Sequence, residues 1–369
     1  MGHFDPMQDR KKPWIETPLI ESVALSKTAG CPQAHSSNGN LNAQNPRNQQ
    51  KLKPTRGIGN LIFTSLKNPE NKGKELHFYS SSGGNAGLAA VTAARELDCR
   101  CTVVVPHSTK PLMISKLREA GATDVIQYGA SWFEADSYLR QNFIDNQDLS
   151  GDQPRRNIYV PPFDHPGIWN GAATMVSEIA RQLPPREAGD ECSFPADAIV
   201  CSIGGGGLFN GVVNGLEKYI KSNASEGAKK NVQVLAVETA GADSLSLALR
   251  NGRLQSLPAI TSLATSLGAL CVAPQTLKNA QSPPAGIDVK NVVGTDAEAA
   301  QGVIRIADEL RLQVELACAI SVEVAVKKLK ETVPSLRPDS RVVVILCGGS
   351  NITAEMITDY RQRLQNGWQ

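Results

Sequence analysis

Three stretches of this sequence place glycine beside side chains able to do chemistry, each where an apolar run gives way to a helical pattern. The first, SSSGGNAGLAA (80–90), offers three hydroxyls, two glycines and an amide. Ser82 or Asn85 is positioned to cap the helix that follows, and the open backbone N–H groups of such a turn suit a carboxylate or a phosphate. A plain capped strand–turn–helix junction accounts for the same residues equally well. The second, CSIGGGGLFNGVVNGL (201–216), is more specific. One glycine suffices for a turn, whereas Gly204, Gly205, Gly206 and Gly207 present a row of N–H groups with no Cβ in the way, as a phosphate requires. The G-x-G-x-x-G spacing fails at Phe209 and Asn210, and the Lys-Ser/Thr of a P-loop is missing. The third, VVVILCGGSNIT (342–353), delivers Cys347 into a Gly-Gly turn; a core cysteine at a strand end is the commoner meaning of that pattern. Hydrolytic chemistry finds no support, because the sequence has no G-x-S-x-G elbow and its histidines show no H-E-x-x-H or other metal-ligand spacing.

The elements that must hold these turns follow from periodicity. Short apolar, β-branched runs at 76–80, 101–106, 123–129, 197–203, 232–237 and 341–347 alternate with helical patterns. The stretch IWNGAATMVSEIARQL puts Ile168, Ala172, Met175, Val176, Ile179 and Leu183 on one helical face. Such alternation predicts an α/β fold with mostly parallel strands buried on both faces. A length of 369 residues accommodates one large or two ordinary domains. The net charge of +2 leaves no electrostatic footprint for nucleic acid or an anionic membrane. The eight cysteines form no CxxC pair, which argues against a zinc site or disulfide framework and for a reducing compartment. No signal peptide and no membrane-length apolar run is visible, so a cytoplasmic protein is expected. One segment breaks the pattern. In QAHSSNGNLNAQNPRNQQ (33–50), nine of the 18 residues are Asn or Gln and only one is a large aliphatic, so composition predicts loop or disorder there.

Taken in order, the glycine motifs and their flanks resemble the fold-type II pyridoxal-phosphate (PLP) enzymes, and within them the catabolic L-serine/L-threonine dehydratases. The resemblance runs through TPLIES (17–22), SSSGGNAGLA, VPPFDHPGIWNG (160–171), the tetraglycine, AVETAGADS (236–244), SLPAITSLATSLGA (256–269) and CGGSNI (347–352). It implies a two-domain, tryptophan-synthase-β-like α/β fold. The large PLP-binding domain would comprise 1–50 and 164–369, with 32–55 atypical, and the small domain 51–163. It also implies roles. Gly204–Gly207 would cradle the cofactor phosphate, Asn85 would bond the PLP 3′-oxygen, and Cys347 with Gly348 would face the pyridine nitrogen. Ser82, Gly83, Gly84 and Ala86 would hold the substrate carboxylate. Glu238, Ala242, Ser244, Leu267 and Ala269 match segments that bind a monovalent cation, K+ being the candidate. The implied reaction is β-elimination: a lysine that carries the cofactor takes the Cα proton, the β-hydroxyl leaves, and hydrolysis gives a 2-oxo acid and ammonia. Serine would yield pyruvate and threonine 2-oxobutanoate, in amino-acid catabolism feeding gluconeogenesis, from a homodimer.

The lysine itself departs from the pattern. The family form PSGSFKxRG sets it two places before the arginine that Arg56 matches, and Pro54 stands there. Lys53, three places before, is the candidate catalytic residue; Lys51 is a weaker one. The strand expected after AGC (29–31) is absent by sequence, replaced by the Asn/Gln-rich tract. VELACAIS (314–321) replaces the usual VEPxCG. The alternative reading is a catalytically impaired member, or a mis-spliced gene model, lacking the lysine segment.

Overall fold

The computed structural model describes residues 12–22, 33–38, 56–145, 155–185, 192–223 and 230–368. Lys51, Lys53 and Pro54 lie outside the described residues. The chain divides into two compact units, one of Met1–Ile15 with Lys53–Gly171 and one of Glu16–Leu52 with Ala172–Gln369.

In the first unit, four parallel strands run in the order β5-β4-β3-β6: β3 (Glu75–Ser80), β4 (Arg100–Val105), β5 (Asp124–Gln127) and β6 (Arg155–Tyr159). β-Branched and aromatic residues dominate these runs, and Phe78, Val103, Val104 and Val105 are fully buried. Helices α1 (Arg56–Lys67), α2 (Asn85–Glu96), α3 (Pro111–Glu119) and α4 (Trp132–Leu139) accompany them. Helix α2 meets the sheet through alanines, with Ala89, Ala90, Ala93 and Ala94 at 1% exposure or less, which lets its backbone approach closely. Gly87 shows how closely: a Cβ there would lie 1.8 Å from the Ser82 carbonyl oxygen. Helix α5 (Pro166–Gln182) follows β6, and the six apolar residues assigned to one face, Ile168 through Leu183, are all buried.

The second unit holds a six-stranded sheet of order β1-β2-β10-β7-β8-β9. Its members are β1 (Leu19–Glu21), β2 (Gln33–Asn38), β7 (Ala198–Ser202), β8 (Val232–Thr239), β9 (Ile287–Gly294) and β10 (Arg341–Leu346). All neighbours are parallel except β1 and β2. The interiors of β7, β8 and β10 are near-continuous Val/Ile/Leu/Ala runs, as strands covered on both faces demand. Covering elements include α6 (Gly207–Ser222), α7 (Ser244–Asn251), α8 (Pro274–Gln281), α9 (Asp296–Leu310), α10 (Leu316–Lys327), α11 (Leu329–Thr332) and α12 (Ala354–Gln365).

The structure corrects the sequence reading at β2. Gln33–Asn38 was expected to be loop, and the strand after AGC to be missing; instead this hexapeptide pairs in parallel with β10, from Gln33 opposite Arg341 to Asn38 opposite Leu346. On its other side β1 pairs with it antiparallel, Ile20 opposite Ser36. The reason is that a ladder is built from backbone N–H and C=O groups, which every non-proline residue supplies, so a template strand overrides weak local propensity. Strand β9 was not anticipated either. Its run IDVKNVVG mixes charge into the apolar pattern because it pairs with β8 alone.

Candidate functional site

The serine loop stands at the C-terminal end of β3. Ser82 does not cap α2: its Oγ accepts the Gly84 N–H at 3.3 Å, and the N-cap position belongs to Gly84, with no side-chain cap. Asn85 is the first residue of the helix, not its cap. The result is a turn without a side chain at its N-cap, at the positive end of a helix dipole. Gly83 admits no side chain, since a Cβ would meet Thr109 Cγ2 at 2.9 Å.

Beneath the loop lies a residue that sequence reasoning did not single out. Asp136, on α4 and buried, accepts hydrogen bonds at Oδ1 from Ser81 Oγ and Tyr159 Oη, both at 2.6 Å, and at Oδ2 from Arg140 Nε at 2.8 Å. Arg140 also lies 4.0 Å above the Tyr159 ring. Burial, reinforced by the bond to Asp136 and its charge, pushes the Tyr159 hydroxyl up to about 12, so it stays a donor. The i, i+4 spacing of Asp136 and Arg140 was the only visible signal.

The tetraglycine loop stands at the end of β7, where α6 opens. Gly206 is the N-cap in the left-handed region, φ +100°, and a Cβ on it would meet Thr276 Oγ1 at 1.8 Å. Only glycine fits there. Helix α6 has no side-chain cap, so its first-turn N–H groups face outward with the dipole's positive end behind them.

Cys347 follows β10, the neighbour of β7 about 4.8 Å away in the same sheet. Its N–H donates to Cys318 Sγ at 3.2 Å, and burial, then Cys318, Cys201 and Glu315, raise its thiol well above the ordinary value. Cys347 is therefore a neutral thiol. The turn behind it, with Gly348 at φ +77° and Gly349 at φ +107°, is braced by buried Glu315. The Glu315 N–H donates to the Gly348 oxygen at 3.0 Å, while its carboxylate accepts from the Asn351 N–H at 3.2 Å and from Ser266 Oγ.

Glu238 ends β8 fully buried. Its Oε1 accepts the Leu245 N–H at 2.7 Å, and Oε2 accepts the Ser246 N–H and Asn291 Nδ2, both at 2.9 Å, so the side chain caps α7. Burial pushes its carboxyl up to about 7 against those three bonds. The segments carrying Ala242 and Ser244 on one side and Leu267 and Ala269 on the other are joined by Thr261 N–H to the Gly241 oxygen at 3.0 Å and by a Thr239–Ser262 hydroxyl contact at 2.9 Å. Ser244 Oγ is buried there with no hydrogen-bond partner. Among the described residues no group of three or more His, Cys, Asp or Glu could hold a metal ion.

The family model described as "Pyridoxal-phosphate dependent enzyme" matches residues 52–348. An L-serine dehydratase of Saccharomyces cerevisiae is 39% identical over 306 residues, covering 82% of this chain and 85% of that protein. A catabolic L-serine/threonine dehydratase of the same organism is 37% identical over 303 residues, 81% and 79% of the two chains. The crystal structure of a fungal L-serine ammonia-lyase from Rhizomucor miehei superposes with a TM-score of 0.75 at 28% identity, covering 96% and 99%. The chain belongs to the pyridoxal-phosphate dependent enzymes.

Proposed function

We propose that this chain is a PLP-dependent L-serine/L-threonine ammonia-lyase, releasing a 2-oxo acid and ammonia. One observation carries the reading: the serine loop and the glycine cradle each stand at the C-terminal end of a parallel strand with an uncapped helix opening from it, the place where α/β sheets receive anionic ligands. The names of the relatives supply the substrate class, at 37–39% identity over four-fifths of the chain.

The residues fit the cofactor. Gly204–Gly207 form a turn in which a Cβ at Gly206 would collide with Thr276 behind it, next to the strand that leads into Cys347. When bound, PLP supplies an electron sink for negative charge at Cα. The cradle N–H groups would hold its phosphate, Cys347 and Gly348 would serve its ring nitrogen, and Asn85 would bond its 3′-oxygen. The Cys347 thiol, raised by burial, is a neutral group and a poor acid that would give that nitrogen no proton. Ser82, Gly83, Gly84 and Ala86 are proposed to receive the substrate carboxylate on backbone N–H groups and a hydroxyl. Lys53 is the proposed base that takes the Cα proton. Ser244, with an unpartnered buried hydroxyl, and Glu238, Ala242, Leu267 and Ala269 around it are proposed to serve a monovalent cation, K+. A cytoplasmic homodimer is proposed with it; the described cysteines are all free, in keeping with a reducing compartment.

Pro54, at the lysine place of the family pattern, favours a second reading, a catalytically impaired chain that lacks the Schiff-base lysine segment and binds PLP weakly or not at all. A coupled assay for 2-oxo acid release from serine and from threonine separates the two, run on the chain and on Lys53→Ala beside borohydride reduction and peptide mapping. Turnover lost in Lys53→Ala, with the label on Lys53, is the expected result. Absence of any 2-oxo acid release by the unaltered chain defeats the first reading.

A further inference from the structure

Buried behind the tetraglycine loop is a chain of polar side chains that the proposed reaction does not use. Thr276 and Asn210 are fully buried and Asn279 is nearly so. Burying such groups is costly unless every one is bonded. Here they are, and all in one direction. Gln275 Nε2 donates to Asn279 Oδ1 at 2.8 Å, Asn279 Nδ2 to Asn210 Oδ1 at 3.0 Å, Asn210 Nδ2 to Thr276 Oγ1 at 3.0 Å, and Thr276 Oγ1 to the Gly205 carbonyl at 3.2 Å. Each acceptor fixes the orientation of the next donor. With Asn210 occupying its lone pair, the Thr276 hydroxyl has one place to send its proton, the Gly205 oxygen. The Ala273 N–H donates to that same oxygen at 3.0 Å.

The consequence falls on the next peptide group. In a planar trans peptide the C=O and the following N–H point to opposite sides. Pinning the Gly205 oxygen onto α8 therefore turns the Gly206 N–H the other way, out of the core. Thr276 also sits against the open face of Gly206, where a Cβ would stand 1.8 Å from its Oγ1.

We propose that Thr276 is a positioning residue for the cofactor phosphate, acting through Gly205 to aim the cradle, with Asn210, Asn279 and Gln275 fixing its hydroxyl. This rests on the reading that the tetraglycine loop takes that phosphate. The test uses two ligands that cannot bond covalently to a lysine, pyridoxine 5′-phosphate and phosphate-free pyridoxine, titrated calorimetrically into the cofactor-stripped protein. Thr276→Val keeps the shape and removes the hydroxyl; it should weaken pyridoxine phosphate about tenfold, the worth of one hydrogen bond, and leave pyridoxine unchanged. Thr276→Ser should restore the phosphate affinity. If Thr276→Val does not fold by circular dichroism, Asn279→Ala takes its place: it unhooks Asn210 without touching the loop, and about a threefold loss confined to the phosphate form is expected. Unchanged affinity for pyridoxine phosphate, or an equal loss of both ligands, overturns the proposal. A wild-type chain that binds neither ligand overturns the cofactor reading itself, and the role of Thr276 falls with it.

Discussion

Asp136 offers the sharpest test of how the serine loop is held. Its carboxylate takes three short hydrogen bonds, two of them from groups that the fold buries or half-buries, Ser81 and Tyr159. A hydrogen bond to a charged group is worth about 1.5–3 kcal/mol. Ser81→Ala should therefore cost about 2 kcal/mol, and Tyr159→Phe a similar amount. Asp136→Ala should cost about 3–5 kcal/mol, less than three full bonds, because the half-exposed Arg140 regains water while the two hydroxyls are stranded. The decisive quantity is the coupling. In an Asp136→Ala background, Ser81→Ala removes a hydroxyl that is already stranded, so the double mutant should be no less stable than the single, a coupling of at least about 2 kcal/mol. Urea unfolding followed by tryptophan fluorescence measures it, since Trp14, Trp132 and Trp169 lie in the unit that contains Asp136 and Trp132 opens its helix. A coupling below about 0.5 kcal/mol would mean that the two residues act independently and that the loop is held by something else.

Other outcomes follow from single sites. Gly206→Ala forces a Cβ onto Thr276 and an L-residue to φ +100°; PLP affinity, read from the cofactor's absorbance, should fall at least about tenfold. His77 is held down at about 4 by burial and then by Arg100, below its ordinary 6.5. The unfolded chain then binds the extra proton between those values, so stability is full above 6.5 and is lost as pH falls toward 4. Melting temperature should drop between pH 7 and pH 5, and His77→Gln should shrink that drop. Thr295 and Glu298 form a reciprocal capping box on α9, and Thr295→Ala should lower unfolding free energy by about 1 kcal/mol in chemical denaturation.

Much of this molecule was legible in its sequence because the signals were local. The runs that became β3, β4, β7, β8 and β10 announce themselves by β-branched residues, and Ile168–Leu183 by helical spacing. The tetraglycine marked the turn from β7 into α6, where Gly206 at φ +100° requires a glycine. What stayed hidden depends on partners far along the chain. Ser81 meets Asp136 across 55 residues, and Thr276 meets Gly205 across 71. Nothing in either residue's neighbourhood marks it. Composition misled at Gln33–Asn38 for the opposite reason: it reports on side chains, while β2 is specified by the backbone of β10 beside it. Ser82 and Asn85 were plausible caps by type, yet the N-cap falls at Gly84, two residues past Ser82 and one before Asn85.

The direction of the relay behind Gly205 has an electrostatic consequence. Every donor from Gln275 to Thr276 points the same way, and the Gly205–Gly206 peptide continues the series, so the individual dipoles stack head to tail with their positive end at the Gly206 N–H. The axis of α6 ends at the same place with the same sign. Two independent fields thus converge on one point without a formal charge. Because most of the relay is shielded from solvent, mobile ions screen it far less than they would a surface lysine, and its pull on an anion should persist at salt concentrations that silence exposed charges.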